Sequence, residues 1–165
     1  MEIKYHPVGI IHSPHKKLEG MPIQSGGCNE IEGEIEIFPE YRECLKDIGG
    51  FSHIYVLYHF HKSSGWKSEV IPFLDNQPRG LFSTRAPRRP NPIGLSVMEV
   101  LTVFENKVRV KNVDVLDGTP ILDIKPYVPQ FENVANPKIG WLANKAQNAP
   151  STHADDRFID KKGRQ

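Results

Sequence analysis

Pro87, Pro90 and Pro92 fall within six residues, inside the stretch 80–96 (GLFSTRAPRRPNPIGLS), and they limit what the chain can do there. Each proline locks φ and removes a backbone donor, so neither a helix nor a central strand can run through this stretch. The sequence predicts a stiff, extended loop. Arg85, Arg88 and Arg89 sit on it, Arg79 precedes it, and no Asp or Glu occurs between Asp75 and Glu99. Guanidinium is permanently charged and offers a planar donor fork matched to carboxylate or phosphate. A rigid loop whose cations lack local partners reads as an anion-contacting site. The plainer alternative is a solvated basic loop.

Around that loop the chain reads as strands. Residues 8–11 are a short apolar run, and 33–38 (GEIEIF) alternate polar with apolar, as a half-buried strand does. Residues 53–60 (HIYVLYHF) and 95–104 (LSVMEVLTVF) are rich in β-branched and aromatic side chains. Residues 107–115 (KVRVKNVDV) follow a turn-like Glu105-Asn106 and complete a hairpin, and 121–124 form a last short strand. One helix is predicted over 39–48, with its proline and acids first and Gly49-Gly50 as its stop. A second, short one is expected over 140–147. This pattern predicts a mostly β, small single-domain β-barrel with one or two short helices. Its 165 residues are enough for a real core. The barrel domain is placed at 5–145, with 146–165 as a polar C-terminal tail, loosely ordered from Ser151 onward.

Charge narrows the function. Lys+Arg 21 against Asp+Glu 20 leaves a net charge of +1, so contact with a polyanion would have to come from a local patch or from a patch paired in an oligomer. Cys28 and Cys44 are far apart, in no metal-like spacing, which suggests free thiols in a reducing compartment. No segment has the apolar length of a membrane span or the core of a signal peptide, so a cytoplasmic location with no membrane contact is expected. GxGxxG, GxxxxGK[ST], GxSxG and HExxH are all absent, leaving dinucleotide, P-loop, nucleophile-elbow and zincin readings without support.

Three further clusters carry chemistry. Asp117-Gly118-Thr119-Pro120 is turn chemistry that also exposes a carboxylate and backbone groups at a strand end. His59 and His61, with His53 on the same face, have zinc-like spacing. Zinc wants three or four ligands and no carboxylate or cysteine lies nearby in sequence, so no metal is expected and the histidines read as a pocket wall. Residues 21–27 (MPIQSGG) read as a flexible loop.

Taken together, these residues resemble a known family. Ser83-Thr84-Arg85 followed by Arg89-Pro90-Asn91-Pro92-Ile93-Gly94-Leu95-Ser96 is similar to the signature of the TsaA-like (TrmO) family. Asp117-Gly118-Thr119-Pro120 followed by Asp123-Ile124-Lys125-Pro126-Tyr127 is similar to a second block, and Gly50-Phe51-Ser52-His53 running into His61 to a third. The matches keep the family's order over roughly residues 5–145.

The resemblance implies a β-barrel methyltransferase that uses S-adenosyl-L-methionine and works as a homodimer. It further implies tRNA as the partner, methylated on the exocyclic nitrogen of threonylcarbamoyl-adenosine next to the anticodon. The cofactor contacts it implies are Pro22, Ile23, Gln24, His61, Lys62, Arg85, Leu95, Asp117, Gly118, Thr119 and Pro120. Arg85 would pair with the methionine carboxylate, while Arg88 and Arg89 face the substrate. The catalytic candidates are Arg89, Asp123 and Tyr127, and the proton acceptor stays open among His61, Asp123 and Tyr127. Bacterial members are typically longer, with an added C-terminal region where this chain has a short polar tail. A non-catalytic RNA-binding barrel, a methyltransferase acting on a small molecule, and a metal-dependent barrel enzyme using His53, His59 and His61 are the competing readings.

Overall fold

The computed structural model describes residues 2–24 and 30–159. Its strands are β1 (Gly9–His12), β2 (Glu32–Ile37), β3 (His53–His59), β4 (Glu69–Val70), β5 (Arg79–Gly80), β6 (Ile93–Phe104), β7 (Lys107–Lys111) and β8 (Thr119–Pro126). Six of them close into a barrel in the order β1-β2-β7-β6-β3-β8, with every neighbouring pair antiparallel. β4 and β5 make a separate two-stranded ribbon.

The period of two decides which side chains fill the barrel. Along β3, Ile54, Val56 and Tyr58 are buried while His53, Tyr55, Leu57 and His59 look outward and are half-buried. Ile35 and Ile37 of β2, Val108 and Val110 of β7, Met98 of β6, Ile11 and Ile121 complete the core. Each such side chain contributes roughly 1.5–3 kcal/mol by leaving water. β6 serves two neighbours: it pairs with β3 from Ile93 to Glu99 and with β7 from Glu99 to Phe104. The register slips between Val100 and Thr102, an irregularity that bends a strand and helps a sheet close.

Several sequence expectations need correction. Residues 39–48 form no α-helix. They make 3₁₀ turns over Pro39–Leu45 and Ile48–Gly50, interrupted where Asp47 takes φ 68°. Leu45 is the one buried residue of the first turn, with Tyr41 half-buried against the core, too little apolar surface to hold a longer amphipathic helix. The hairpin strand stops at Lys111 rather than Val115, because Asn112 adopts φ 64°. Residues 140–147 split into 3₁₀ turns at Gly140–Leu142 and Ala146–Ser151, and the one α-helical turn among the described residues is α1 (Pro129–Glu132).

The C-terminal segment is packed as far as Ile159. Phe158 is buried against Leu81, Ala86, Val70 and Phe73, and Ala154 N–H donates to the Met21 carbonyl at 2.7 Å. Among the described residues no helix is long and apolar enough to cross a membrane.

Candidate active site

A cleft of about 690 Å³ opens beside one end of the barrel. The end of β3, the start of β6, the arginine loop, the 18–24 loop and the C-terminal segment all contribute to its wall. The volume lies within the range typical of small-molecule sites.

Of the residues expected to contact a cofactor, Pro22, Ile23, Gln24, His61, Lys62, Arg85, Leu95 and Thr119 line this cleft, as does Arg89. They come from four separated stretches of chain. Ser25 to Asn29, including Cys28 and the rest of the expected flexible loop, lie outside the described residues.

The turn at 117–120 reaches the cleft only through Thr119. Asp117 is turned away, accepting from Ser13 N–H at 2.9 Å and pairing with Lys16 Nζ at 2.7 Å. Gly118 takes φ 74°, where a side chain would be strained, and its N–H donates to the Ile11 carbonyl. Pro120 sits in β8 opposite Ile10. The turn therefore closes the barrel first and contributes one hydroxyl to the cleft.

Asp123 and Tyr127 are not brought to the cleft within this chain. Asp123 pairs with Lys125 at 2.6 Å and accepts from the Ile124 amide. The Tyr127 ring meets Tyr55 edge-on at 5.4 Å and His53 at 6.3 Å.

The arginines divide differently from the expectation. Arg88 Nε donates to the Phe158 carbonyl at 3.1 Å, tying the loop to the C-terminal segment. Arg89 Nη1 donates to the carbonyls of Thr84 (2.9 Å), Ala86 (3.3 Å) and Leu81 (3.4 Å), and its guanidinium lies 5.7 Å from the centre of the Phe82 ring. A proline-rich loop lacks backbone donors, so its carbonyls recruit a side-chain donor instead. Arg85 is exposed, and among the described residues no carboxylate pairs with it. Of the arginines that line the cleft, it is the one free of loop carbonyls among the described residues.

His61 Nδ1 lies 3.2 Å from Thr119 Oγ1, whose own proton goes to the Leu116 carbonyl at 2.7 Å. Thr119 therefore accepts, His61 carries its proton on Nδ1, and Nε2 is left as an acceptor. Burial, with Lys62 and then His59 beside it, holds the His61 pKa below the ordinary imidazole value, so the ring is neutral at pH 7. His53 and His59 stay on the outer face of β3, and among the described residues no three His, Cys, Asp or Glu side chains could hold a metal together.

Asp114 was missed by sequence reasoning. It lines the cleft, and its Oδ1 accepts from Ser96 Oγ at 2.6 Å. Tyr58 OH lies 3.1 Å from the same Ser96 oxygen, and since that hydroxyl spends its proton on Asp114, Tyr58 donates. Burial pushes the Asp114 pKa up to about 6, against the lowering effects of Ser96, His15 and Arg85. The other carboxylate in the wall, Asp155, is held below its ordinary value chiefly by Arg157, paired at 2.6 Å. A signal for Asp114 existed in 107–115. Strict alternation would put Asn112 and Asp114 on the core face with Val108 and Val110, so the apolar parity changes at Asn112 and marks a break.

Fold and site together define a small closed antiparallel barrel whose loops build a ligand cleft, with an arginine that has no carboxylate partner among the described residues and a half-buried carboxylate in the wall. The chain belongs to the tRNA-methyltransferase O N-terminal domain family, which matches residues 10–133. It is 48% identical over 157 residues to a probable S-adenosyl-L-methionine-binding protein of Pyrococcus abyssi, covering 95% of this chain and 85% of that one. It is 34% identical over 158 residues to the tRNA (adenine(37)-N6)-methyltransferase of Escherichia coli, covering 90% of this chain and 66% of the relative. A crystal structure of TrmO from Pseudomonas aeruginosa superposes with a TM-score of 0.72 at 33% identity, covering 86% of this chain. This chain spans 63% of that solved chain.

Proposed function

We propose that this protein is an S-adenosyl-L-methionine-dependent methyltransferase acting on tRNA, with the exocyclic nitrogen of threonylcarbamoyl-adenosine next to the anticodon as its acceptor. The observation that carries the reading is the convergence of residues 22–24, 61–62, 85, 95 and 119 on one cleft. The donor set suits the cofactor. Met21, Pro22, Ile23 and Leu95 supply apolar surface, Arg85 a fork for a carboxylate, and the Phe60 ring suits a cationic centre.

When bound, the cofactor supplies a methyl group activated by a positively charged sulfur. The residues of the chain hold and orient. Arg85 fixes the methionine carboxylate, His61 Nε2 accepts a hydrogen bond, and the C-terminal segment keeps water from one side of the cleft. Arg89 shapes the acceptor side by holding the carbonyls of its loop in place. Phe82, 82% exposed beside that guanidinium, offers a face on which a base can stack.

The protein works as a cytoplasmic homodimer in this reading. Ile93 and Leu95, exposed on β6 at the cleft, would meet the second copy. Asp123, Tyr127, Asp117, Gly118 and Pro120 take part in the site through the partner's cleft or not at all.

Two measurements test the proposal. Calorimetry should show heat with S-adenosyl-L-methionine that Arg85→Ala weakens at least tenfold. Mass spectrometry of tRNA nucleosides should show methylated threonylcarbamoyl-adenosine disappearing from cells that lack the protein. Cofactor binding with unchanged nucleosides would move the activity to another acceptor, and no cofactor heat at all would leave an RNA-binding barrel.

A further inference from the structure

We propose that Asp114 is the catalytic proton acceptor of this cleft, with Ser96 and Tyr58 as the residues that position its carboxylate. The inference rests on the methyltransferase reading above. Methylation of an exocyclic nitrogen needs somewhere for a proton to go. The nitrogen lone pair forms the new N–C bond as the C–S bond breaks, and the C–S bonding pair stays on sulfur as it becomes a neutral thioether. The nitrogen's proton passes to Asp114 Oδ, and from there to water.

Three groups in the wall could take that proton, and their surroundings separate them. Asp155 is committed to Arg157 through contacts of 2.6 and 2.9 Å, which keep it charged and weakly basic. His61 is tied to Thr119 through Nδ1, and burial lowers its affinity for a proton. Asp114 alone combines a place in the wall, a rigid support and a raised affinity for a proton.

The support comes from separate strands. Tyr58 belongs to β3 and Ser96 to β6, and both are buried, at 6% and 3% exposure. Their hydroxyls form a directed relay, Tyr58 to Ser96 to Asp114, that fixes Oδ1 of the carboxylate in the cleft wall. The charged and titratable groups acting on Asp114 are Arg85 from the arginine loop and His15 from the segment after β1, and a positive charge on either favours the carboxylate. A base of this kind is charged at neutral pH yet holds a proton more readily than an ordinary aspartate.

The test uses the full chain, with S-adenosyl-L-methionine and tRNA that carries threonylcarbamoyl-adenosine without the methyl group. Asp114→Asn should bind the cofactor within threefold of the unaltered protein by calorimetry. Single-turnover transfer should fall at least 100-fold and lose its rise between pH 5 and 7. Ser96→Ala removes a hydrogen bond from the charged form, so it should move that rise to higher pH. Carboxyl ¹³C NMR of the cofactor-free protein should show a resonance that titrates near pH 6, moves upward with Ser96→Ala and is absent from Asp114→Asn. Asp114→Asn losing cofactor binding would make Asp114 a cofactor anchor and overturn the inference. An unchanged rate, or a pH rise that instead disappears in His61→Gln, would overturn it as well. Absence of cofactor heat with the unaltered protein would sink the methyltransferase reading itself, and this inference with it.

Discussion

At the scale of single residues, two positions join the barrel to its site. The Tyr58 ring lies directly over Gly94, so that a Cβ at Gly94 would overlap ring carbons Cε2 and Cζ. The glycine is what lets Tyr58 lie flat enough to reach Ser96. Gly94→Ala should therefore displace the ring, cost about 1–3 kcal/mol as overpacking does, and weaken cofactor binding, all measurable by urea unfolding and calorimetry. Asp114 has a thermodynamic signature of its own. Its folded pKa of about 6 lies above its ordinary 3.8, so between these values the folded state holds a proton that the unfolded chain releases. Stability from this group falls as pH rises through that window. Asp114→Asn should melt higher than the unaltered protein at pH 8 and at nearly the same temperature at pH 4. A scanning calorimetry series across pH checks the sign.

At the scale of elements, β7 meets β2 and the turn before it in a ladder of ion pairs on the outer face: Glu34–Lys107 at 2.6 Å, Glu32–Arg109 at 2.7 Å and Glu30–Lys111 at 2.8 Å. Such pairs contribute little in water, and the inward face of the same strands should dominate. Arg109→Ala should change stability by less than about 1 kcal/mol. Ile35→Ala, at a fully buried position of β2, should cost about 2–5 kcal/mol in the same urea titration. The alternation that separates these faces was legible in 33–38, in 53–60 and in the valines of 107–110, because strand periodicity is a local property. The 3₁₀ character of Pro39–Leu45 was not legible. Helix type there depends on how much of the segment the barrel covers, which no local pattern records.

At the scale of the whole molecule, Asp75 holds the cleft wall together. Its side chain is 1% exposed and bonds to Arg79 Nη2 at 2.8 Å and Lys145 Nζ at 2.6 Å, while Arg79 also lies 5.5 Å from the centre of the Trp141 ring. Lys145 first and Arg79 second hold the Asp75 pKa well below the carboxylate range. A depressed carboxylate contributes stability above its ordinary pKa and loses it as pH falls through the lower folded value. Asp75→Asn should loosen residues 140–159 at pH 7. Their amides should exchange faster in mass-spectrometric hydrogen exchange, with the amides of β3 and β6 unchanged.

The sequence by itself determined the mostly β character, the position of the barrel strands along the chain, and a proline-rich arginine loop at 84–92 through which neither helix nor strand runs, although the stretch expected as loop, 80–96, also holds a 3₁₀ turn at Leu81–Ser83 and the start of β6. These follow from local sterics and period-two burial, which act over a few residues. Only the tertiary structure decided which side chains share the cleft. It turned Asp117 toward Lys16, spent Arg88 and Arg89 on backbone carbonyls, left Arg85 unpaired among the described residues, and enclosed Asp114 beneath Ser96. It also pinned Phe158 under the arginine loop, where a polar tail had been expected. Those outcomes depend on desolvation and on partners far away in sequence, and both exist only once the barrel has closed.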